Sequence, residues 1–143
     1  MSLKVYNADQ VQVVVCGVPV TKGWGDGAFL RIEQNEDSYT EVVGTDGEVT
    51  RSRTNNRTHT ITLTLMQSSD VNALLSAVHT LDINSPGGAG IGPLIVKDGS
   101  GTSLYIAEKC WVKKPPVVEF GREAGPREWV FSTNNLVRLD GGN

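Results

Sequence analysis

The sequence predicts a mainly β protein, a β-sandwich or β-barrel with one α-helix packed on its outside. Short segments rich in Val, Ile, Leu and Thr recur along the chain, separated by turns rich in Gly, Asp and Asn. Apolar residues follow a helical spacing in one segment, about residues 69–81. The 143 residues contain no evident repeat or linker, so we expect a single domain over residues 1–143.

The expected strands are short and end at turn residues. Their ranges are 10–20, 28–34, 38–43, 57–67, 94–97, 104–111, 117–120 and 128–132. The clearest is 57–67, in which three threonines alternate with Ile and Leu residues. Such alternation is typical of a strand with one face in the core and the other in water.

One apolar stripe defines the helix. Val71, Leu74, Leu75 and Val78 fall at positions i, i+3, i+4 and i+7, and residues 68–70 supply capping side chains before them. We expect these four residues to anchor the helix on the core.

A long polar segment lies between the third and fourth expected strands. Its Asp-Gly pair at 46–47 is typical of a tight turn, so we expect residues 44–57 to form a protruding hairpin. Six acidic residues and no Lys or Arg occur from Glu33 to Glu48, and three arginines follow at 51–57. This order suits either a solvated surface or complementary edges of neighbouring subunits. The residues predicted to make such contacts between subunits are Asp46, Glu48, Arg51, Arg53 and Arg57.

A second polar surface is expected on the strands themselves. Thr60, Thr62 and Thr64 share one face of their strand, and Arg31 and Glu33 share a similar face of an earlier strand. In a monomeric β-sandwich this is the solvent-exposed face of the sheet. In a ring of subunits the same faces could join into a barrel with a polar lumen, which also removes exposed strand edges.

Composition excludes several functions. The net charge of −3 argues against binding nucleic acid by phosphate neutralisation, which needs a basic face. The first ten residues are polar and the longest apolar run, 13–20, is too short to span a bilayer, so we expect no secretion signal and no membrane anchor. Cys16 and Cys110 lie in strand-like runs without metal-ligand spacing and are interpreted as buried residues of an intracellular protein.

Catalytic and cofactor motifs are weak. Residues 23–28 match a loose dinucleotide fingerprint, but a strand rather than a helix follows. His59 and His79 are the two histidines, and no nucleophile or carboxylate accompanies them in the pattern of a catalytic site. We therefore expect no enzymatic activity, no cofactor and no metal.

Several linked motifs resemble the tail tube family of contractile-tailed bacteriophages. They are GWGDG at 23–27, AFLRI at 28–32, NED at 35–37, GEVTRS at 47–52, NR at 56–57, TLTL at 62–65 and QSS at 67–69. The similarity runs roughly from Gly17 to Asn135. The glycine run at 87–92 and the tail at 134–143 match no motif of the family.

The resemblance implies a structural role in the virion. Members of this family form hexameric rings that stack into a tube, which a contracting sheath drives through the host envelope and through which DNA travels. Its implied partners are copies of itself, the tail sheath, the baseplate initiator, the tape measure and the tail terminator, with assembly in the host cytoplasm. The hairpin is then expected to bridge neighbouring subunits, and the polar strand face to line the lumen.

Other interpretations stay open from the sequence. A type VI secretion or bacteriocin tube ring has the same expected fold in a different machine. A monomeric sandwich could instead bind a ligand on Trp24, Trp111 and Trp129, although such aromatics are more often core or interface anchors. An enzyme is the most distant alternative.

Overall fold

The computed structural model describes residues 3–142, which form ten strands, one α-helix and a short 3₁₀ helix at Ala8–Gln10. The strands are β1 (Val11–Val15), β2 (Val18–Val20), β3 (Leu30–Gln34), β4 (Tyr39–Val43), β5 (Val49–Arg53), β6 (His59–Met66), β7 (Gly92–Asp98), β8 (Leu104–Lys114), β9 (Pro126–Thr133) and β10 (Val137–Leu139). The helix α1 spans Val71–Ile83, between β6 and β7.

Eight strands form one antiparallel sheet, in which seven follow the order β2-β1-β7-β8-β9-β6-β3 and the eighth, β10, pairs with β8. The long strand β8 organises it, because β7 pairs along one edge while β9 and then β10 pair along the other. In the described part of the chain, β4 and β5 pair with each other and stand apart from this sheet.

The sheet folds over on itself to enclose the core. Val15 and Leu94 on one half and Leu63 and Phe131 on the other belong to a single buried cluster, and all four are fully buried. Helix α1 packs against β2 and β8 and adds Leu75 to the same cluster. The predicted mainly β fold with one external helix is confirmed.

Helix α1 starts and ends two residues later than predicted. Leu75 is fully buried, and Val71 and Val78 are half-buried against the core. Leu74 is 53% exposed, so its predicted role as a core anchor is wrong. The sheet meets only a narrow stripe of the helix, and Leu74 lies about 100° around the axis from Leu75.

Two further elements differ from the prediction. Residues 117–120 form an irregular loop rather than a strand, although Val117 and Phe120 supply strand-like composition. Pro115 and Pro116 precede them and lack the N–H groups that a sheet ladder needs. Strand β10, in the tail that matched no motif, extends the edge of β8 after β9 ends.

The protruding hairpin is also shifted. It consists of β4, a turn and β5, and we call residues 39–53 the arm. The predicted range 44–57 left out β4 and included the connection at 54–57.

Candidate functional site

The arm is exposed along its whole length. Every residue of β4 and β5 is exposed, including Val42 at 68% and Val49 at 56%. A two-stranded ribbon alone is marginally stable in water because it has no third layer to cover it. The arm therefore presents two uncovered faces and an uncovered tip.

The turn at the end of the arm is closed by local hydrogen bonds. The Gly44 N–H donates to the Glu48 carbonyl at 2.7 Å, and the Glu48 N–H donates to Oδ1 of Asp46 at 3.0 Å. Gly47 has φ +86°, a conformation that glycine adopts without a steric penalty. The Asp46 carboxylate shapes the turn, while the Glu48 side chain forms no ion pair within residues 3–142.

The pairing register gives the arm two chemically different faces. One face carries Tyr39, Glu41, Val43, Val49, Arg51 and Arg53, and the other carries Thr40, Val42, Thr50 and Ser52. The Arg51 guanidinium lies 4.1 Å from the centre of the Tyr39 ring. Arg51, one of the predicted contact residues, is therefore already engaged within the arm.

Side-chain hydrogen bonds stiffen the junction between the arm and the β3–β6 ribbon. We call residues 35–38 and 54–58 the elbow. Asn35 donates through Nδ2 to Oγ1 of Thr58 at 2.8 Å and accepts from Oγ1 of Thr60 at 2.6 Å. Asn56 Oδ1 accepts from both the N–H and the hydroxyl of Thr58. Because short polar side chains bond to the nearby chain in this way, the elbow fixes the direction of the arm.

A groove of about 300 Å³ lies at the base of the arm. Its lining includes Arg53, Arg57, Arg138, His59 and Leu136, and we call it the base groove. Arg138 pairs with Asp140 at 2.9 Å, whereas Arg53 and Arg57 form no ion pair with any described residue. No carboxylate belongs to the described lining, so the groove is basic.

His59 lies at the inner wall of the base groove and is only 4% exposed. Its Nδ1 donates to the Arg57 carbonyl at 3.0 Å, and its Nε2 has no hydrogen-bond partner among the described residues. Burial, with a further contribution from the charge of Arg138, lowers the pKa of the imidazole below its ordinary value of 6.5. The ring is therefore neutral at pH 7.

The structure brings the five residues of the predicted polar face together. Arg31 pairs with Thr62 and Glu33 with Thr60 across β3 and β6, so these side chains share the face opposite the core with Thr64. The threonines are half-buried, while Arg31 and Glu33 are exposed and lie 3.9 Å apart. The result is a surface of hydroxyl groups with one exposed ion pair.

The other candidate chemical groups are structural. Cys16 and Cys110 are buried, and the Cys16 thiol donates to the Cys110 carbonyl at 3.2 Å. A hydrogen bond with Cys16, together with burial, raises the pKa of Cys110, which keeps it a thiol.

No cluster of His, Cys, Asp or Glu in residues 3–142 could hold a metal ion. The same residues include no helix long and apolar enough to cross a membrane.

Sequence reasoning missed Asn72, which joins α1 to the sheet. Its Oδ1 accepts from the Trp129 indole N–H at 2.9 Å, and its Nδ2 donates to the carbonyls of Met66 and Ser69. Trp129 is 2% exposed, so it serves as a core residue rather than a ligand platform. An asparagine on a helix gives no sequence signal for such a bridge.

Comparison with known proteins agrees with this architecture. The family model described as bacteriophage PhiTE tail tube protein matches residues 6–140. Structural protein ORF10 of Pseudomonas phage KPP10 is 30% identical over an alignment of 143 positions, which covers 96% of this chain and 83% of that protein.

Two solved structures share the fold. The tube-terminating cap of the anti-feeding prophage has a TM-score of 0.61 at 9% identity, covering 97% of this chain and 93% of that chain. The sheath/tube terminator of an extracellular contractile injection system, PVC, has a TM-score of 0.59 at 10% identity, covering 97% and 99%.

These matches define the class: a structural tail tube protein of a phage virion, and not an enzyme. The chain belongs to the PhiTE tail tube protein family. The resemblance predicted from the sequence motifs is thereby confirmed.

Proposed function

We propose that this protein forms hexameric rings that stack into a hollow tube, and that sheath contraction drives this tube through the host envelope. DNA then passes through the bore without specific binding. The proposed partners are further copies of this chain, the sheath, the baseplate initiator, the tape measure and the tail terminator, and assembly takes place in the host cytoplasm. Membership of a tail tube family supports the proposal.

The observation that carries the proposal is the arm. The chain keeps an ordered ribbon at 39–53 whose residues are all exposed and whose Glu48 and Arg53 lack ion pairs within residues 3–142. A ribbon of this kind gains little from its own subunit, because it buries almost nothing there. Contacts with neighbouring subunits would supply the burial and charge pairing that the arm lacks.

The face shared by β3 and β6 is proposed to line the bore. Its threonine hydroxyls are neutral, and the Arg31–Glu33 pair contributes no net charge. Glu128 of β9 lies directly opposite Thr64 on the same face and adds one negative charge. Lys114 of β8 pairs with Val130 beside it and offsets that charge. A hydroxyl-lined wall with little net charge attracts DNA phosphates weakly, so DNA can slide through it.

Negative-stain electron microscopy of the purified protein across a concentration series tests this function. Hollow rings or tubes of uniform width are expected, with six-fold symmetry in end-on classes. Small monodisperse particles at every concentration, unchanged after addition of a baseplate-containing tail extract, would contradict ring formation.

The tube of a particle that carries no DNA is the second candidate. The fold fits this candidate as well, since the anti-feeding prophage cap and the PVC terminator share it. Nuclease-protected DNA in purified particles that contain this protein would support the phage function. Intact contractile particles without such DNA would support the second candidate.

A further inference from the structure

The base groove combines positive charge with an unsatisfied buried atom. Arg53 and Arg57 line it without an ion pair to any residue from 3 to 142. His59, only 4% exposed, belongs to the same lining, and its Nε2 has no hydrogen-bond partner within residues 3–142. Two guanidinium groups without an ion pair indicate a site that a negatively charged group from outside the subunit can complete.

The tip of the arm has the complementary chemistry. Asp46 and Glu48 carry two exposed carboxylates within three residues, and Val43 and Val49 place exposed apolar side chains beside them. The base groove matches the acidic feature, since Arg53 and Arg57 line it. A carboxylate and a guanidinium form a charge-assisted hydrogen bond, which is stronger than a neutral one.

A single chain cannot bring these two surfaces together. They lie at opposite ends of the same ribbon, whose five-residue strands span about 17 Å at roughly 3.4 Å per residue. The ribbon is paired along its length and held by the elbow, so it cannot fold back on its own base. Tip and groove can therefore meet only between two copies, in a head-to-tail contact that generates closed rings or helical stacks.

We propose that the acidic tip of the arm of one copy, Asp46 and Glu48, docks into the base groove of another copy, between Arg53 and Arg57. This inference rests on the proposed function, because it names the landing site of the arm within the ring or stack. Charge complementarity selects this occupant and fixes its register. Arg51 takes no part, since it stacks on Tyr39 of its own arm.

A charge-exchange experiment tests the docking. The groove variant is Arg53→Glu with Arg57→Glu. The tip variant is Thr45→Lys with Asp46→Asn and Glu48→Lys, in which asparagine keeps the side-chain oxygen that accepts from residue 48. Each variant alone should need at least about tenfold more protein to assemble than wild type, because it faces like charge at every contact.

The two variants mixed in equal amounts should assemble near the wild-type concentration. A lysine tip then meets a glutamate groove, an acidic tip meets an arginine groove, and the two kinds of subunit alternate. Misfolded variants would not assemble when they are mixed, so recovery of assembly would show that both variants are folded. Lys22→Glu with Arg122→Glu, two exposed residues outside the groove, makes the same charge change and should assemble normally.

The outcomes separate the docking from the proposed function. If wild type assembles and the groove variant assembles equally well, or if mixing restores nothing, the docking is wrong and the tube function stands. If the control variant fails as the groove variant does, net charge rather than the groove governs assembly, and the docking is again wrong. If wild type itself never assembles, even with a tail extract, the proposed function fails.

Discussion

The chain forms two antiparallel ribbons, one on either side of the elbow, and they differ in how much of each is buried. Below it, β3 and β6 pair in the main sheet, and alternate residues of β6 such as Ile61 and Leu63 are fully buried. Above it, β4 and β5 keep the same antiparallel pairing with every residue exposed. Pairing alone thus does not decide burial. The lower ribbon is stabilised by its own subunit, and the arm has contacts left for others.

This contrast predicts that core and arm respond to different changes. A substitution in the core should unfold the subunit. A substitution at the elbow should loosen the arm and leave the subunit folded.

The largest effect is expected at Leu75. Leu75→Asp removes a fully buried side chain and places a carboxylate in the core, which should destabilise the subunit by more than about 4 kcal/mol and leave it unfolded. Leu74→Asp is the matched control, since Leu74 is 53% exposed one residue away, and it should change stability by less than about 1 kcal/mol. Circular dichroism with urea titration measures both. A folded Leu75→Asp subunit would show that α1 is not anchored through this residue.

An intermediate effect is expected from the titration of His59. Because the folded pKa lies below 6.5, the unfolded chain binds a proton first as the pH falls. Stability should be complete above pH 6.5 and should decrease as the pH falls from there to the folded pKa, by at most about 1.4 kcal/mol per pH unit for one proton. Burial of the ring opposes its protonation most, and the charge of Arg138, which also lines the groove, adds to this.

Urea midpoints at pH 7.5, 6.5 and 5.5 measure how the free energy of unfolding changes with pH. NMR titration of the His59 ring shows whether that change comes from His59. His59→Gln should flatten the slope in that window. A ring that titrates at or above 6.5 in the folded subunit would contradict the burial and charge argument.

The parts of the fold that sequence predicted well are those in which one strong pattern acts alone. The alternation at 57–67 corresponds to β6, and the helical stripe corresponds to α1 with an offset of two residues. The polar set on β3 and β6 lies on one face, as the period of two requires. The prediction of a strand at 117–120 was wrong, because the apolar composition there is typical of a strand but the segment follows Pro115 and Pro116, which lack the N–H groups for pairing.

The parts that sequence could not predict depend on distant segments meeting. Arg138 reaches the base groove from β10, some 80 residues from His59, and no local pattern marks it. Leu74 has the same apolar character as Leu75, and only the direction of the sheet decides which of them is buried. Arg51 carries the same charge as Arg53, and only the ring of Tyr39 sets it apart.

The smallest effect on stability is expected at the elbow. Asn35→Ala removes the hydrogen bonds to Thr58 and Thr60, which are exposed and together contribute about 1 kcal/mol or less. The core contacts of β6 are untouched, so the melting temperature should shift by only a few degrees. The elbow, however, loses two of its hydrogen bonds, and the backbone amides of the arm should exchange faster with solvent.

The exchange rates of the backbone amides in 39–53, compared with those in β6, show whether the arm loosens while the sheet stays intact. Asn55→Ala is the matched control, because Asn55 lies in the same elbow and is exposed, and it should leave both rates unchanged. Equal acceleration in the arm and in β6 would mean that the two ribbons open as one unit. Because an arm without a fixed direction must be ordered at each contact, Asn35→Ala should also raise the concentration needed for assembly.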